Sequence, residues 1–141
     1  MISDANGIPL LVCTGPANQR DETMVEPMLT QLPMLPDRKG KRRKKPKALQ
    51  GDRGYGFAHI IKLVVGLMIT CLLAPRAEAH GSGLGKTRYV VERTLAWMSN
   101  HRRLKVCYER TGEHFRAFHV LAACVICSNR LRRKGRKRVL K

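Results

Sequence analysis

The chain has 141 residues, enough for one domain with its own core, and its 43% apolar content argues against wholesale disorder. Against 10 Asp and Glu stand 28 Lys and Arg, a formal charge of +18, so a compact state repels itself unless a polyanion neutralises it. Nucleic acid is the first partner to expect and an anionic membrane face the second. Cysteines at 13, 71, 107, 124 and 127 are odd in number and mostly embedded in apolar runs, which argues against a disulfide framework and fits a reducing cytoplasm.

Met1 to Thr14 reads as a β-hairpin with its turn at Asp4-Ala-Asn6-Gly7 and an apolar second strand from Ile8. The first strand is almost absent, so the chain is expected to be the downstream part of something longer. Gly15-Pro16 breaks the strand, and Asp21 is placed to cap a short helix through about Leu32 that Pro33 and Pro36 end. Arg38 to Lys47 is nearly all Lys and Arg and has no hydrophobic period, so residues 37–47 are expected as an exposed basic loop. Lys41, Arg42, Arg43, Lys44 and Lys45 are its candidate DNA contacts.

Ala48-Leu-Gln50 reads as a brief strand running into Gly51-Asp52-Arg53-Gly54-Tyr55-Gly56, where glycines turn the backbone sharply beside an acid. Phe57 to Val65 fits a helix, Gly66 ends it, and Leu67 to Leu73 fits a buried strand. Strand, crossover helix and strand make a βαβ unit and imply a mixed or parallel sheet.

After a loop from Pro75 to Gly85, a helix is expected from about Lys86 to Arg103. Helical periodicity puts Val90, Thr94, Trp97 and Met98 on one side and Arg88, Glu92, Ser99 and Arg103 on the other. A last helix from about Glu113 to Arg130 is apolar almost all round between Val120 and Cys127 and is expected to be buried. Residues 131–141 form a basic tail, with Arg132, Arg133 and Lys134 as further candidate DNA contacts. Neither basic run interleaves aromatics for base stacking, so both suit phosphate attraction rather than sequence readout.

Three patterns imitate other functions. Lys62 to Ala79 resembles a secretory signal, but some sixty residues precede it and its apolar stretch is too short to span a bilayer. Gly81-Ser-Gly-Leu-Gly85-Lys86-Thr87 resembles a phosphate-binding P-loop, but its first glycine is one residue out of register. Cys124-Val-Ile-Cys127 has metal-site spacing without a second Cys/His pair, so a buried helix is the simpler reading.

Two acids are placed for chemistry. Asp52 sits at a strand end beside two glycines, where open α/β sheets carry functional groups. Glu92 lies on a helix surface between Arg88 and Arg93, and taken alone reads most simply as the partner of Arg88 four residues before it.

Asp52-Arg-Gly-Tyr55, His80-Gly-Ser-Gly-Leu-Gly85, Arg88-Tyr-Val-Val-Glu92-Arg-Thr-Leu-Ala-Trp97 and Arg102-Arg103-Leu together resemble the C-terminal part of DDE transposases of bacterial insertion sequences, in the insertion-sequence-five-like group. Gly7-Ile-Pro9, Ala17-Asn18 with Asp21, and Leu121-Ala-Ala-Cys-Val-Ile-Cys127 extend the resemblance over most of the chain. It implies a partial RNase H-like α/β catalytic domain over residues 1–130, with a mixed sheet flanked by helices and lacking its N-terminal strand. Three carboxylates of such a domain hold two Mg²⁺ or Mn²⁺ ions that activate a water or a DNA 3′-hydroxyl. Asp52 then matches the second acid and Glu92 the third, with Arg88, Arg102 and Arg103 as phosphate contacts.

Two departures matter. Ser99 stands where the pattern has a lysine, and the first acid would lie upstream of the Asp4 turn, itself a poor candidate. The resemblance therefore implies a transposase fragment that does not cleave DNA alone. Its partners would be transposon ends, target DNA and an upstream transposase fragment, with oligomers open and no membrane. The competing reading is a non-catalytic basic nucleic-acid-binding protein. A cationic secreted or membrane-surface protein is a distant third.

Overall fold

Asp4 organises the first turn. Its N–H donates to the Ile8 carbonyl and its own carbonyl accepts from Gly7 N–H, both at 2.9 Å. Its Oδ1 accepts from the N–H groups of Asn6 at 2.9 Å and Ile8 at 2.8 Å, the local bonding that makes Asp a turn residue. Gly7 closes the turn at φ +80°, a left-handed conformation that disfavours a side chain. The expected hairpin follows, β1 (Ile2–Ser3) against β2 (Pro9–Leu11), antiparallel with an irregularity at Ile2/Ser3.

The computed structural model describes residues 1–36, 40–76 and 85–139. They fall into two compact units, Met1–Pro16 with Val90–Lys141, and Ala17–Tyr89. In the first, α3 (Gly85–Ser99) carries the anticipated stripe, with Thr94 and Met98 buried and Val90 and Trp97 partly so. Met98 packs with Val12 and Ile126 as a small core, flanked by Met1, Trp97, Leu104 and Ala123. Thr94 is 0% exposed, and its hydroxyl lies 2.9 Å from the carbonyls of both Gly7 and Val90. One proton is thus shared between the helix's own backbone and the hairpin turn.

Two helix ends differ from expectation. The helix stops at Ser99, because Ser99-Asn100-His101 has weak helix propensity and His101 turns extended, at φ −83° and ψ 116°, to start α4 (Arg102–Lys105). Arg103 therefore leaves the helix that carries Glu92. The last helix, α5 (Gly112–Val139), continues well past Arg130 into the basic tail. It is not buried all round: Ala122 and Ile126 are buried, whereas Val120, Leu121 and Val125 are 44, 58 and 46% exposed. The two buried residues are four apart, so a single stripe of the helix is covered.

In the second unit, Asp21 does not cap. Arg20 holds the cap position without a side-chain bond, and a 3₁₀ turn (Asp21–Met24) leads into α1 (Val25–Thr30), whose Met28 and Leu29 are buried. The basic segment is not all loop, since β3 (Leu35–Pro36) pairs antiparallel with β4 (Arg42–Arg43) and Gly40 turns at φ +78°. The βαβ expectation holds in β5 (Ala48–Gln50), α2 (Ala58–Gly66) and β6 (Thr70–Leu72), with the strands parallel and Leu49 opposite Cys71. β6 is shorter than expected because Leu67 and Met68 finish the helix instead. Leu67 N–H reaches the Leu63 carbonyl at 3.0 Å, and Met68 takes a left-handed φ of 57°. Ile60, Val64, Ile69, Leu73 and Ala74 are buried here.

The chain is thus α/β. Among the described residues its strands form three two-stranded sheets, not one mixed sheet. No described helix is long and apolar enough to cross a membrane, and the signal-like apolar run divides between α2 and β6. Residues 81–84 of the P-loop-like segment lie outside the described residues.

A Cβ on Gly56 would lie 2.0 Å from the Ala74 carbonyl oxygen, too close without backbone movement. Gly56→Ala is expected to destabilise the protein by about 1–3 kcal/mol through overpacking. Thr94→Val should cost about 1–3 kcal/mol by leaving the Gly7 carbonyl without its buried donor. Urea unfolding measures both.

Candidate functional site

Asp52 lies two residues beyond β5 and starts the 3₁₀ turn Arg53–Tyr55, in an extended conformation at φ −72° and ψ 162°. Its Oδ1 accepts from Arg53 N–H at 2.5 Å, and its side chain is exposed. The glycine before it, Gly51, allows close approach. A Cβ on Gly51 would lie 2.7 Å from Leu73 Cδ2, so the loop after β5 lies directly against the residues after β6. The predicted strand-end acid is therefore in place.

Around it the second unit gathers acids in a strongly basic chain. Burial raises the Tyr55 phenol above its ordinary pKa of 10.0, and the carboxylates of Asp21, Asp52 and Glu22 raise it further. Glu22 is itself buried and pairs with Arg20, Nε to Oε1 at 2.6 Å. Arg20 and Arg76 lie over the Phe57 ring at 5.3 and 4.4 Å. Asp21, expected as a cap, is instead part of this acidic surrounding.

Glu92 belongs to the other unit, exposed on α3 and off the Thr94–Met98 stripe. The side chain of Arg88, its expected neighbour, lies outside the described residues. Ser99 donates back to the Leu95 carbonyl at 3.0 Å and lines a cavity of about 190 Å³ together with Met98 and His119. That cavity carries no carboxylate and is small for an organic ligand. Arg102 is exposed, whereas Arg103 is engaged, with Nη1 on Glu109 Oε1 at 2.7 Å and its guanidinium 4.8 Å over Phe118.

Carboxylate oxygens suit Mg²⁺, which prefers hard donors. Yet among the described residues no three His, Cys, Asp or Glu side chains group to hold a metal ion. The donor type fits and the donor number does not, so no catalytic step through a metal follows from this chain alone.

Lys41, Arg42, Arg43, Lys44 and Lys45 are all exposed on or beside the β3–β4 hairpin. Arg132 and Arg133 are exposed on α5, and Arg132 bonds Asn129; the Lys134 side chain lies outside the described residues. Contrary to the buried-helix expectation, Cys124 is exposed and Cys127 only partly covered. Burial, then Cys124 and Asp4, push the Cys127 thiol above its ordinary pKa.

One arrangement was missed in the sequence. The Nη2 atoms of Arg93 and Arg130 both donate to the Asn6 carbonyl, at 3.1 and 3.0 Å. Both guanidiniums also lie over Trp97, 5.0 and 5.1 Å from the ring centre. Arg93 and Trp97 are four apart on one helix, which was legible; Arg130 arrives from 124 residues beyond Asn6, which was not.

The chain is 38% identical over 133 residues to a protein of Burkholderia cepacia described as "Putative transposase for insertion sequence element IS402". The alignment covers 94% of this chain, which spans 63% of that protein's length. No family model matches the chain, and no solved structure matches it.

Tyr55 offers a direct check on the placement of Asp52. Its phenolate absorbance should appear above pH 10, vanish in Tyr55→Phe, and move to lower pH in Asp52→Asn and Asp21→Asn. Since the folded phenol ionises later than the unfolded one, its contribution to stability is intact below about pH 10 and is lost as pH rises through the folded pKa. Tyr55→Phe should remove that alkaline loss.

Proposed function

We propose that the chain is the downstream portion of a DDE-type transposase catalytic domain, in the insertion-sequence-five-like group and of RNase H-like fold. The observation that carries this reading is the 38% identity, running through 94% of the chain, to a protein described as an insertion-sequence transposase. The strand-end position of Asp52, and Glu92 between Arg88 and Arg93, support it.

In this reading Asp52 and Glu92 are the two carboxylates that the chain contributes to a site for Mg²⁺ or Mn²⁺. Bound there, the ions would supply an activated oxygen nucleophile and stabilise the leaving oxygen of a phosphodiester. The chain's own share is limited to these acids and to holding DNA. The exposed Lys41–Lys45 run, Arg102, Arg132 and Arg133 attract phosphates, and Arg88 and Lys134 are assigned to the same task from the sequence. Arg103 serves it only if it leaves Glu109. The first acid comes from an upstream transposase segment, and the protein works in the cytoplasm on transposon ends and target DNA.

A non-catalytic nucleic-acid binder is the second reading, favoured by the exposed basic hairpin at Arg42 and Arg43. Both readings expect affinity for DNA that falls steeply with salt, and metal separates them. The decisive protein is a chimera in which this chain replaces the matched part of the IS402 relative. Excision in cells should fall at least about 100-fold with Asp52→Asn or Glu92→Gln, as loss of one ligand in a metal-dependent reaction requires. The isolated chain should not nick an end-containing duplex in Mg²⁺ or Mn²⁺. Excision untouched by Glu92→Gln would leave the binder as the better account.

A further inference from the structure

Arg93 and Arg130 bring two cations together in a chain whose formal charge is already +18. Two guanidiniums share one carbonyl acceptor, that of Asn6, and one aromatic ring, that of Trp97. With both Nη2 atoms about 3 Å from the same oxygen, the two like charges lie within a few ångströms of each other, where they repel. Arginine carries five N–H donors, but the Asn6 carbonyl is the acceptor found for Arg130 among the described residues. Its Nε is buried with no hydrogen-bond partner. A buried donor in that condition calls for an explanation.

The surroundings add charge of the same sign. Arg132 and Arg133 stand exposed on the same helix just beyond Arg130. Cation–π contact with Trp97 and the shared Asn6 carbonyl hold both guanidiniums in place. Side chains held in this way lose little further freedom when an anion arrives. A tetrahedral anion with several acceptor oxygens can accept from both guanidiniums at once and cancels their repulsion.

We infer that Arg93 and Arg130, held by the Asn6 carbonyl against Trp97, form a clamp for a backbone phosphate of nucleic acid. This rests on the DNA-binding part of the function proposed above and adds a site to it. The basic runs attract phosphates without positioning them, whereas this pair is fixed to the turn and to two helices and would set where the backbone lies on the first unit.

Trp97 is the chain's one tryptophan, so its emission reports on the clamp specifically. The intact chain is titrated with a 20-base-pair duplex at several salt concentrations, reading duplex anisotropy and Trp97 emission together. Binding should change the emission. Arg130→Gln should weaken binding several-fold and reduce the slope of log affinity against log salt by about 0.9, the value of one phosphate contact. Arg130→Lys should retain most of the slope. The thermal melts of the variants separate lost contact from lost fold.

A folded Arg130→Gln with an unchanged slope would make the pair a structural staple only. If that variant does not fold, the wild-type emission decides, and no change on saturation with duplex overturns the clamp. An emission change with inorganic phosphate but not with duplex would make it a small-anion site and overturn the nucleic-acid assignment. A wild-type chain that fails to bind duplex at low salt would bring down the DNA reading and the clamp together. Binding that is insensitive to Arg130 would bring down the clamp alone.

Discussion

The first unit depends on a turn of four residues. Asp4 pins the turn through its Oδ1, and two successive carbonyls then receive the rest of the unit. Gly7 accepts from Thr94, 87 residues away, and Asn6 accepts from Arg93 and Arg130, 87 and 124 residues away. Only a residue with no Cβ can occupy position 7, because a Cβ there would lie 2.7 Å from the Thr94 hydroxyl while the backbone sits at φ +80°. One glycine thus lets α3 approach the hairpin, and that approach brings Trp97 and its two arginines to Asn6. The small core of Val12, Met98 and Ile126 contributes burial, and the polar contacts at the turn set register.

Charge constrains the whole chain. Ten acids cannot neutralise 28 bases, so the placement of each acid is informative. Asp4 makes a turn, Glu22 pairs with Arg20, and Glu109 takes Arg103. Asp52 and Glu92 are the exposed acids that the resemblance to transposases of insertion sequences singles out, one in each compact unit. Around Asp52 the chain runs against its own composition and concentrates negative charge at Tyr55. Elsewhere it exposes Lys and Arg, on the β3–β4 hairpin and along α5.

What could be read from the sequence was local. The Asp4–Gly7 turn, the strand–helix–strand order around α2, and the apolar stripe from Val90 to Met98 follow from turn chemistry and periodicity, and the structure contains them. What failed depended on competition or on distant partners. Asp21 looked like a cap, but Arg20 took the cap position. Leu67 and Met68 have the composition of a strand, yet the helix end claimed them. The apolar girth of α5 suggested burial, but composition does not supply neighbours on every side, and Val120, Leu121 and Val125 are exposed. At the candidate site the strand-end context singled out Asp52, whereas Glu92 was singled out only by the resemblance to transposases; both side chains are exposed. It missed the Arg93–Trp97–Arg130 cluster because a contact across 124 residues leaves no mark in periodicity.

The proposed function rests on Asp52 and Glu92 acting as carboxylate ligands of a divalent metal ion in a transposase. Iron-directed cleavage tests it most directly. Fe²⁺ replaces Mg²⁺ in the chimera built with the IS402 relative, and peroxide then cuts the polypeptide beside the bound ion. The account predicts cuts near residues 52 and 92 together, both lost in Asp52→Asn, and neither in the isolated chain. Cuts at one position alone, or cuts that survive Asp52→Asn, would contradict it.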